Sequence, residues 1–343
     1  MKKFPAFTFL LFSAIVIWIC LSSHSSSPEQ PLKIIFDTDM GSDCDDAGAL
    51  ALLHQYANQN KAQIVGCMYS SEKVPYGAGI VEAINIAYGR PDIPVGASHG
   101  NIVGDPVDKM EAEKLAKDTA AFGNTIIHNQ DAPEQTRLCR KLLVAQPDRS
   151  VTYITVGHTK GLYDLLISKA DDLSPLNGRE LIQKKVSRWV ALGALGAYND
   201  QLEHRKDWNF FFNGTATYTK YLVEHFPAPV YYISAGSDVM TGKGLKQKPS
   251  GHIVRTVYRD WLWNYEKKTL DDQRPSWDLA AVYFAVEGLG PFLVNEGAGK
   301  LVFDEEKGCR WKPGKATPEQ HYISQKAGVS KPFADYLNEM LSR

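Results

Sequence analysis

The chain has 343 residues, and its 38 lysines and arginines nearly balance its 39 aspartates and glutamates. Because the basic side chains are scattered rather than gathered into a stripe, the sequence argues against a nucleic-acid partner and favours a small-molecule ligand. The cysteines after residue 40 have no Cys-x-x-Cys spacing, which argues against a zinc site built from cysteine.

The first segment has the layout of an export signal. Two lysines precede an apolar run from Phe4 to Leu21, and polar residues 22–30 follow. We therefore expect residues 1–27 to be a signal peptide or a membrane or lipid anchor, with Cys20 as a candidate site of lipid attachment. The sequence predicts an exported protein that is periplasmic, extracellular or attached to a membrane through its N-terminus.

Residues 31–343 alternate between strand-like and helical patterns and contain no linker rich in Ser, Gly or Pro. The strand-like apolar runs are residues 34–36, 62–69, 93–95, 151–156, 188–192 and 229–233. Helical patterns occupy residues 79–88, 134–145, 215–224 and 279–287. This alternation predicts one α/β domain with an open, mostly parallel sheet and helices on both faces. Residues 301–311 predict a C-terminal hairpin, and residues 331–341 predict a closing helix.

An acidic run follows the first predicted strand. Five aspartates stand within ten positions, at Asp37, Asp39, Asp43, Asp45 and Asp46. Such crowding is costly unless a cation neutralises it, because neighbouring carboxylates repel each other. Gly41 permits a sharp turn, and aspartate oxygens suit hard cations such as Ca²⁺ or Mg²⁺. A solvated acidic loop is the alternative, but the position between a strand and a helix, where open α/β sheets bind ligands, favours a metal site.

The same segment resembles the N-terminal signature of the inosine-uridine-preferring nucleoside hydrolases. The matching residues are Asp37, Asp39, Gly41, Asp45, Asp46 and Ala47, in a loop lengthened by residues 42–44. Residues 89–95, 189–195, 207–210 and 276–282 resemble later motifs of that family in the same order. The resemblance spans about residues 32–290 and implies the nucleoside hydrolase fold. It also implies Ca²⁺-dependent hydrolysis of the N-glycosidic bond of nucleosides or related N-ribosides.

The resemblance implies a set of calcium ligands. These are the side chains of Asp39, Asp46 and Asp278 and a backbone carbonyl at Lys160. Asp39 would also be the general base, because this hydrolysis needs an activated water opposite a developing sugar cation. The residues themselves leave the roles of two aspartates open. Asp278 stands where it could cap a helix, and Asp43 could cap the helix at Asp45 or join the metal site.

The resemblance also implies substrate contacts. Asp45 would bind ribose hydroxyls, and Asp207 and Asn209 stand where the family binds substrate, although Asp207 is shorter than the usual Glu and Asn209 could merely end a turn. Trp277 replaces a histidine that is implicated in protonating the leaving base, so it could stack on a base or pack in the core. Candidate replacement acids are His99, His158 and His204.

Two rival functions remain open from the sequence. Asp37 and Asp39 after a strand also resemble the start of haloacid-dehalogenase-type phosphatases, but Gly41 and the Asp-Asp-Ala continuation do not fit that pattern. A secreted protein that binds metal and sugar without turnover is the other alternative. Because the family is commonly dimeric or tetrameric, the resemblance also implies a homo-oligomer.

Overall fold

The part of the chain that the structure, a computed structural model, describes consists of Met1, residues 30–100 and residues 103–343. The predicted signal or anchor segment, including Cys20, lies outside the described residues. Among the described residues, no helix combines the length and the hydropathy needed to cross a bilayer. Pro31–Arg343 form one compact unit.

A nine-stranded sheet runs through this unit, beside a two-stranded ribbon. The strands are β1 (Leu32–Thr38), β2 (Ala62–Tyr69), β3 (Val95–Ala97), β4 (Val151–Thr155), β5 (Val186–Leu192), β6 (Val230–Ser234), β7 (Met240–Thr241), β8 (Arg274–Pro275), β9 (Leu293–Asp304), β10 (Gly308–Pro313) and β11 (Gln320–Gln325). The sheet order is β10-β9-β11-β6-β5-β4-β1-β2-β3, and β7 pairs with β8. All neighbours from β11 to β3 are parallel, whereas β9 runs antiparallel to both β10 and β11.

Helices cover both faces of the sheet. They are α1 (Asp45–Asn58), α2 (Gly77–Ala87), α3 (Ala112–Lys117), α4 (Thr119–Phe122), α5 (Gln135–Val144), α6 (Lys160–Ile167), α7 (Gly178–Lys185), α8 (Trp208–Phe211), α9 (Ala216–His225), α10 (Ile253–Trp261), α11 (Trp277–Glu287) and α12 (Ser330–Ser342). Ile34 and Phe36 of β1 pack in one core with α1, α2, α10, α11 and α12. Ile35 packs in the other core with α5, α6, α7 and α9. Strands buried on both faces explain the continuous apolar runs in the sequence.

The predicted α/β fold with a mostly parallel sheet is confirmed. The C-terminal hairpin is present as the ends of β9 and β10, and the closing helix is α12. Strand β11 was not predicted, although it lies inside the sheet between β6 and β9. Its sequence is largely polar, with only Tyr322 and Ile323 as buried apolar residues, so it carries no apolar run.

Candidate active site

The acidic run lies at the carboxyl end of β1, in the middle of the parallel sheet. Strand β1 ends at Thr38 and α1 begins at Asp45, so the loop between them rises at the sheet edge where ligands bind. Gly41 has φ 156°, and a Cβ there would lie 2.9 Å from Cγ1 of Val74. A residue with a side chain would therefore strain the turn that folds the acidic loop back.

A cavity of about 290 Å³ opens over this loop. Its acidic side is formed by Asp43, Asp45 and Asp278, and its aromatic lining is formed by Trp208, Trp261, Tyr265 and Trp277. Asp278 arrives on α11, whose N-cap residue is Ser276, so Asp278 lies in the first turn and does not cap the helix. Its backbone N–H donates to Oδ2 of Asp45 at 3.3 Å, which joins α11 to the start of α1.

Asp43, Asp46 and Asp278 form what we name the triple-aspartate group. One carboxylate oxygen from each lies within 4.8 Å of the others. Burial, and then the charges of neighbouring aspartates, raise the pKa of Asp46 and Asp278 well above the usual range. Burial and Asp43 raise the pKa of Asp45 in the same way. The group is therefore short of positive charge.

Arg274 supplies part of that charge. Its Nη2 donates to Oδ2 of Asp43 at 3.1 Å, and its Nε lies 3.6 Å from Oδ1 of Asp45. Although burial alone would raise the pKa of Asp43, the charge and hydrogen bond of Arg274 hold it below the usual value. Sequence reasoning missed Arg274. The acidic run contains no basic residue, so its counter-charge has to come from elsewhere in the chain. That absence was the one available signal.

Asp39, Asp105 and His158 form a second cluster, the Asp–Asp–His group, with ligand atoms within 4.8 Å of one another. Asp105 is only 1% exposed, and four polar side chains surround its carboxylate. It accepts hydrogen bonds from Ser42 Oγ, from Trp208 Nε1 at 2.6 Å and from Asn213 Nδ2 at 2.9 Å. His158 Nε2 lies 3.3 Å from Asp105 Oδ1 and 3.4 Å from Asp39 Oδ2. Sequence reasoning missed Asp105, whose neighbours in the chain form no motif.

The donor set fits a divalent cation. Three buried carboxylate oxygens have no hydrogen-bond partner among the described residues, at Asp39 Oδ2, Asp43 Oδ1 and Asp45 Oδ1. The charge of Asp39 contributes to the raised pKa of both Asp46 and Asp278, although Asp39 belongs to the Asp–Asp–His group and the other two predicted side-chain ligands belong to the triple-aspartate group. Crowded carboxylate oxygens without donors are the ligands that hard cations take. The assignment of individual ligands stays a prediction.

Lys160 is the first residue of α6, and its side chain pairs with acids outside the acidic loop. The ammonium pairs with Asp164 and lies 3.9 Å from Glu72 Oε1. Asp164 and Glu72 therefore balance the positive charge of Lys160. The predicted role of the Lys160 backbone carbonyl as a metal ligand stays a prediction.

Asp207 and Asn209 line the cavity and also fix its walls. The Asp207 carboxylate caps α8 by accepting from Phe210 N at 2.9 Å and from Ala194 N at 3.0 Å. Burial raises the pKa of Asp207 to about 6. Asn209 Nδ2 donates to the carbonyl of Val156 at 2.6 Å. The amide hydrogens of Asn209 are thus used to hold the loop after β4, and its predicted contact with ribose remains a prediction.

Trp277 fits both of its sequence-based alternatives, because it lines the cavity and also packs against the core. Of the three candidate histidines, His158 joins the Asp–Asp–His group, whereas His99 and His204 are not among the residues that line the cavity.

No protein-family model matches this chain, and no curated protein matches it by sequence. Solved structures do match. The type III effector XopQ complexed with adenosine diphosphate ribose is similar over 92% of this chain and 94% of its own, with TM-score 0.64 and 13% identity. The inosine-uridine preferring nucleoside hydrolase of Bacillus anthracis has TM-score 0.62 and 16% identity over 90% of this chain and 99% of its own. The purine-preferring ribonucleoside hydrolase of Gardnerella vaginalis has TM-score 0.60 and 16% identity over 90% and 98%. The chain therefore has the nucleoside hydrolase fold, which confirms the resemblance at the level of fold.

Proposed function

We propose that this protein hydrolyses the N-glycosidic bond of nucleosides or related N-ribosides, with a bound divalent cation that the sequence resemblance identifies as Ca²⁺. The observation that carries the proposal is the meeting of Asp278 with Asp43 and Asp46 beside a cavity, in a fold shared with nucleoside hydrolases. Carboxylates from two distant parts of the chain converge there, and burial and mutual repulsion raise the pKa of Asp46 and Asp278.

The cavity lining offers groups that suit the two halves of a nucleoside. Asp45 Oδ1 is buried without a donor, so it can accept hydrogen bonds from ribose hydroxyls. Trp208, Trp277 and Tyr265 offer aromatic surface on which a flat base can stack. A pocket with a few polar groups at one end and aromatic walls elsewhere is typical of small-molecule sites.

Asp39 is the proposed general base. Its Oδ2 is buried and has no hydrogen-bond donor among the described residues, so it can take a proton from a water molecule beside the sugar. A cation bound among these carboxylates would orient that water and lower its pKa. The surrounding negative side chains would stabilise the positive charge that develops on the sugar ring.

The rival functions are distinguished by turnover. Nucleoside hydrolase neighbours support N-riboside hydrolysis over the phosphatase alternative. The same cavity would also serve a protein that binds metal and sugar without turnover.

We further propose that the protein is exported. This proposal rests on the sequence of residues 1–27 alone.

The test is release of ribose from purine and pyrimidine nucleosides by the purified protein, with Ca²⁺ and with a chelator. We expect release that the chelator abolishes and that Asp278→Asn lacks. Ca²⁺ binding without any ribose release would favour the binding-protein alternative. Release that persists in the chelator would contradict the cation-dependent mechanism.

A further inference from the structure

Arg274 has more hydrogen-bonding capacity than its partners use. A guanidinium carries five N–H donors, yet the one hydrogen bond that this side chain donates among the described residues goes to Asp43 Oδ2. Its Nε is buried and has no hydrogen-bond partner. The side chain is 14% exposed and lines the cavity. Unused donors therefore stand at the wall of the proposed substrate site.

The guanidinium is also held in place. Its central carbon lies 4.4 Å from the ring centre of Trp261 and 4.8 Å from that of Trp277. Such cation–π contacts favour one position of the charge. The backbone is fixed as well, because Arg274 pairs with Thr241 in the β7–β8 ribbon. A fixed cation needs little rearrangement to stabilise charge that appears during a reaction.

The described residues that line the cavity include no histidine, the side chain that most often protonates a leaving group. Trp277, next to Asp278, has an indole N–H that does not titrate in the working range. The Asp207 carboxylate, whose pKa burial raises to about 6, is already engaged by two backbone N–H groups, of Phe210 and Ala194. Arginine keeps its protons at any working pH, so Arg274 can assist by charge and hydrogen bonding but not by proton transfer.

We propose that Arg274 stabilises the departing base as it leaves with the electron pair of the broken C–N bond. The proposal rests on the function proposed above. The C–N bond breaks toward nitrogen, the hydroxyl of a water molecule joins the anomeric carbon, and the proton of that water goes to Asp39. The base leaves as an anion hydrogen-bonded to Arg274 and then takes a proton from solvent, and Asp39 releases the proton that it accepted back to solvent. Atoms and charge balance as riboside plus water giving ribose plus neutral base.

This role defines a substrate class. The base must present an acceptor next to its glycosidic nitrogen, either a carbonyl oxygen or an unprotonated ring nitrogen, because those atoms share the negative charge of the leaving anion. Pyrimidine and purine ribosides both meet this requirement. A riboside whose leaving group is already a stable anion does not need Arg274.

The experiment compares uridine and inosine with 4-nitrophenyl β-D-riboside, whose nitrophenolate leaves without assistance. We expect Arg274→Gln to lower kcat/KM for the nucleosides by about 100-fold or more, the usual size for loss of one charge-stabilising donor. For the nitrophenyl riboside the loss should stay below about 5-fold. Arg274→Lys should recover part of the nucleoside activity because it keeps the charge. As a matched control, Lys109→Gln also removes a cation that lines the cavity, and it should leave the ratio of the two activities within about 3-fold.

Equal losses on both substrates, or no loss on either, would overturn the role of Arg274 while leaving the hydrolase function intact. A wild-type protein that cleaves neither substrate would contradict the proposed function itself. If Arg274→Gln fails to fold because Asp43 loses its partner, the double variant Arg274→Gln/Asp43→Asn removes both charges together. The ratio of its activities on the nucleosides and on the nitrophenyl riboside then supplies the same test, because the change at Asp43 is present in both assays.

Discussion

The triple-aspartate group and the Asp–Asp–His group lie near the same strand end, yet they satisfy their charges in different ways. In the Asp–Asp–His group, Asp105 accepts hydrogen bonds from Ser42, Trp208 and Asn213. In the triple-aspartate group, the acids face each other, and burial and repulsion raise the pKa of Asp46 and Asp278. A buried charge must have donors or a counter-charge. The protein supplies donors to Asp105, whereas Asp39 and the triple-aspartate group are left in need of a cation.

This difference indicates where a cation would bind. Oδ1 of Asp105 already has two close donors, Trp208 Nε1 and Asn213 Nδ2, which occupy its lone pairs. Asp39, a member of the Asp–Asp–His group, has no hydrogen-bond donor on Oδ2, and its charge contributes to the raised pKa of Asp46 in the triple-aspartate group. We therefore expect the cation among the triple-aspartate carboxylates and Asp39, while Asp105 holds the walls of the site together.

The largest expected effect is on cation affinity and activity. Asp46→Asn and Asp278→Asn should each weaken Ca²⁺ binding by about 100-fold or more and abolish ribose release, because ligand charge sets the affinity of such sites. Asp105→Asn should keep the affinity within about 10-fold. Titration calorimetry on the three variants measures this. If Asp105→Asn lost as much affinity as Asp278→Asn, the distinction between the two clusters would be wrong.

The second effect is on stability without a cation. Asp105→Ala should lower the free energy of unfolding by about 2–4 kcal/mol, because buried donors on Trp208, Asn213 and Ser42 lose their acceptor. Asp278→Ala should change it by less than about 1 kcal/mol in a chelator, since it also removes repulsion. Urea unfolding with chelator present checks both, and similar losses would contradict the comparison.

A third effect is the pH dependence of stability. Asp45, Asp46 and Asp278 have folded-state pKa values above their unfolded values. Their contribution is therefore fully present below the unfolded pKa, near 4, and is lost as pH rises through the folded values. Without a cation, the contribution of these groups to the free energy of unfolding should fall as the pH rises above about 4. Saturating Ca²⁺ should reduce this slope, because it favours the ionised carboxylates.

Asp207 contributes a part of this pH dependence that Ca²⁺ should not remove. Burial raises its pKa to about 6, which adds a slope of the same sign. It caps α8 by accepting from the backbone of Phe210 and Ala194, so we expect Ca²⁺ to leave its contribution unchanged. Urea unfolding at several pH values, with Ca²⁺ and with chelator, measures the two slopes. Identical slopes would show that the acid groups do not compete for protons and cation.

The sequence predicted the parts of this site whose signal is local. The acidic run stands next to a strand and a helix start, so its place at the sheet edge follows from a short window of residues. Strands β1, β2 and β4 are continuous apolar runs because both faces of the sheet are covered. The resemblance to nucleoside hydrolases then singled out Asp278, far away in the chain.

The parts that were missed depend on contacts between distant segments. Asp105 stands in a loop after β3, and its partners come from positions 42, 158, 208 and 213. Arg274 lies in a two-residue strand, and its partners Asp43 and Asp45 are in the acidic run. No periodicity or spacing marks such residues, because tertiary packing alone brings their charges together.

The smallest expected effect tests whether the acidic loop links the two clusters. Gly41 has φ 156°, and a Cβ there would press on Val74, while its carbonyl accepts from the backbone of Lys109. Gly41→Ala should therefore cost about 1–2 kcal/mol of stability. It should also weaken Ca²⁺ binding by less than the loss of a ligand does.

The double variant Gly41→Ala/Val74→Ala separates the two causes of that cost. Removing the methyl groups of Val74 relieves the clash with the new Cβ but leaves the backbone strain of Ala at a positive φ. We expect the double variant to be more stable than the sum of the two single changes predicts, by about 0.5–1 kcal/mol. Additive losses would show that the backbone conformation alone requires glycine. In that case the turn itself, rather than its packing on Val74, sets the path of the acidic loop between Asp39 and Asp43.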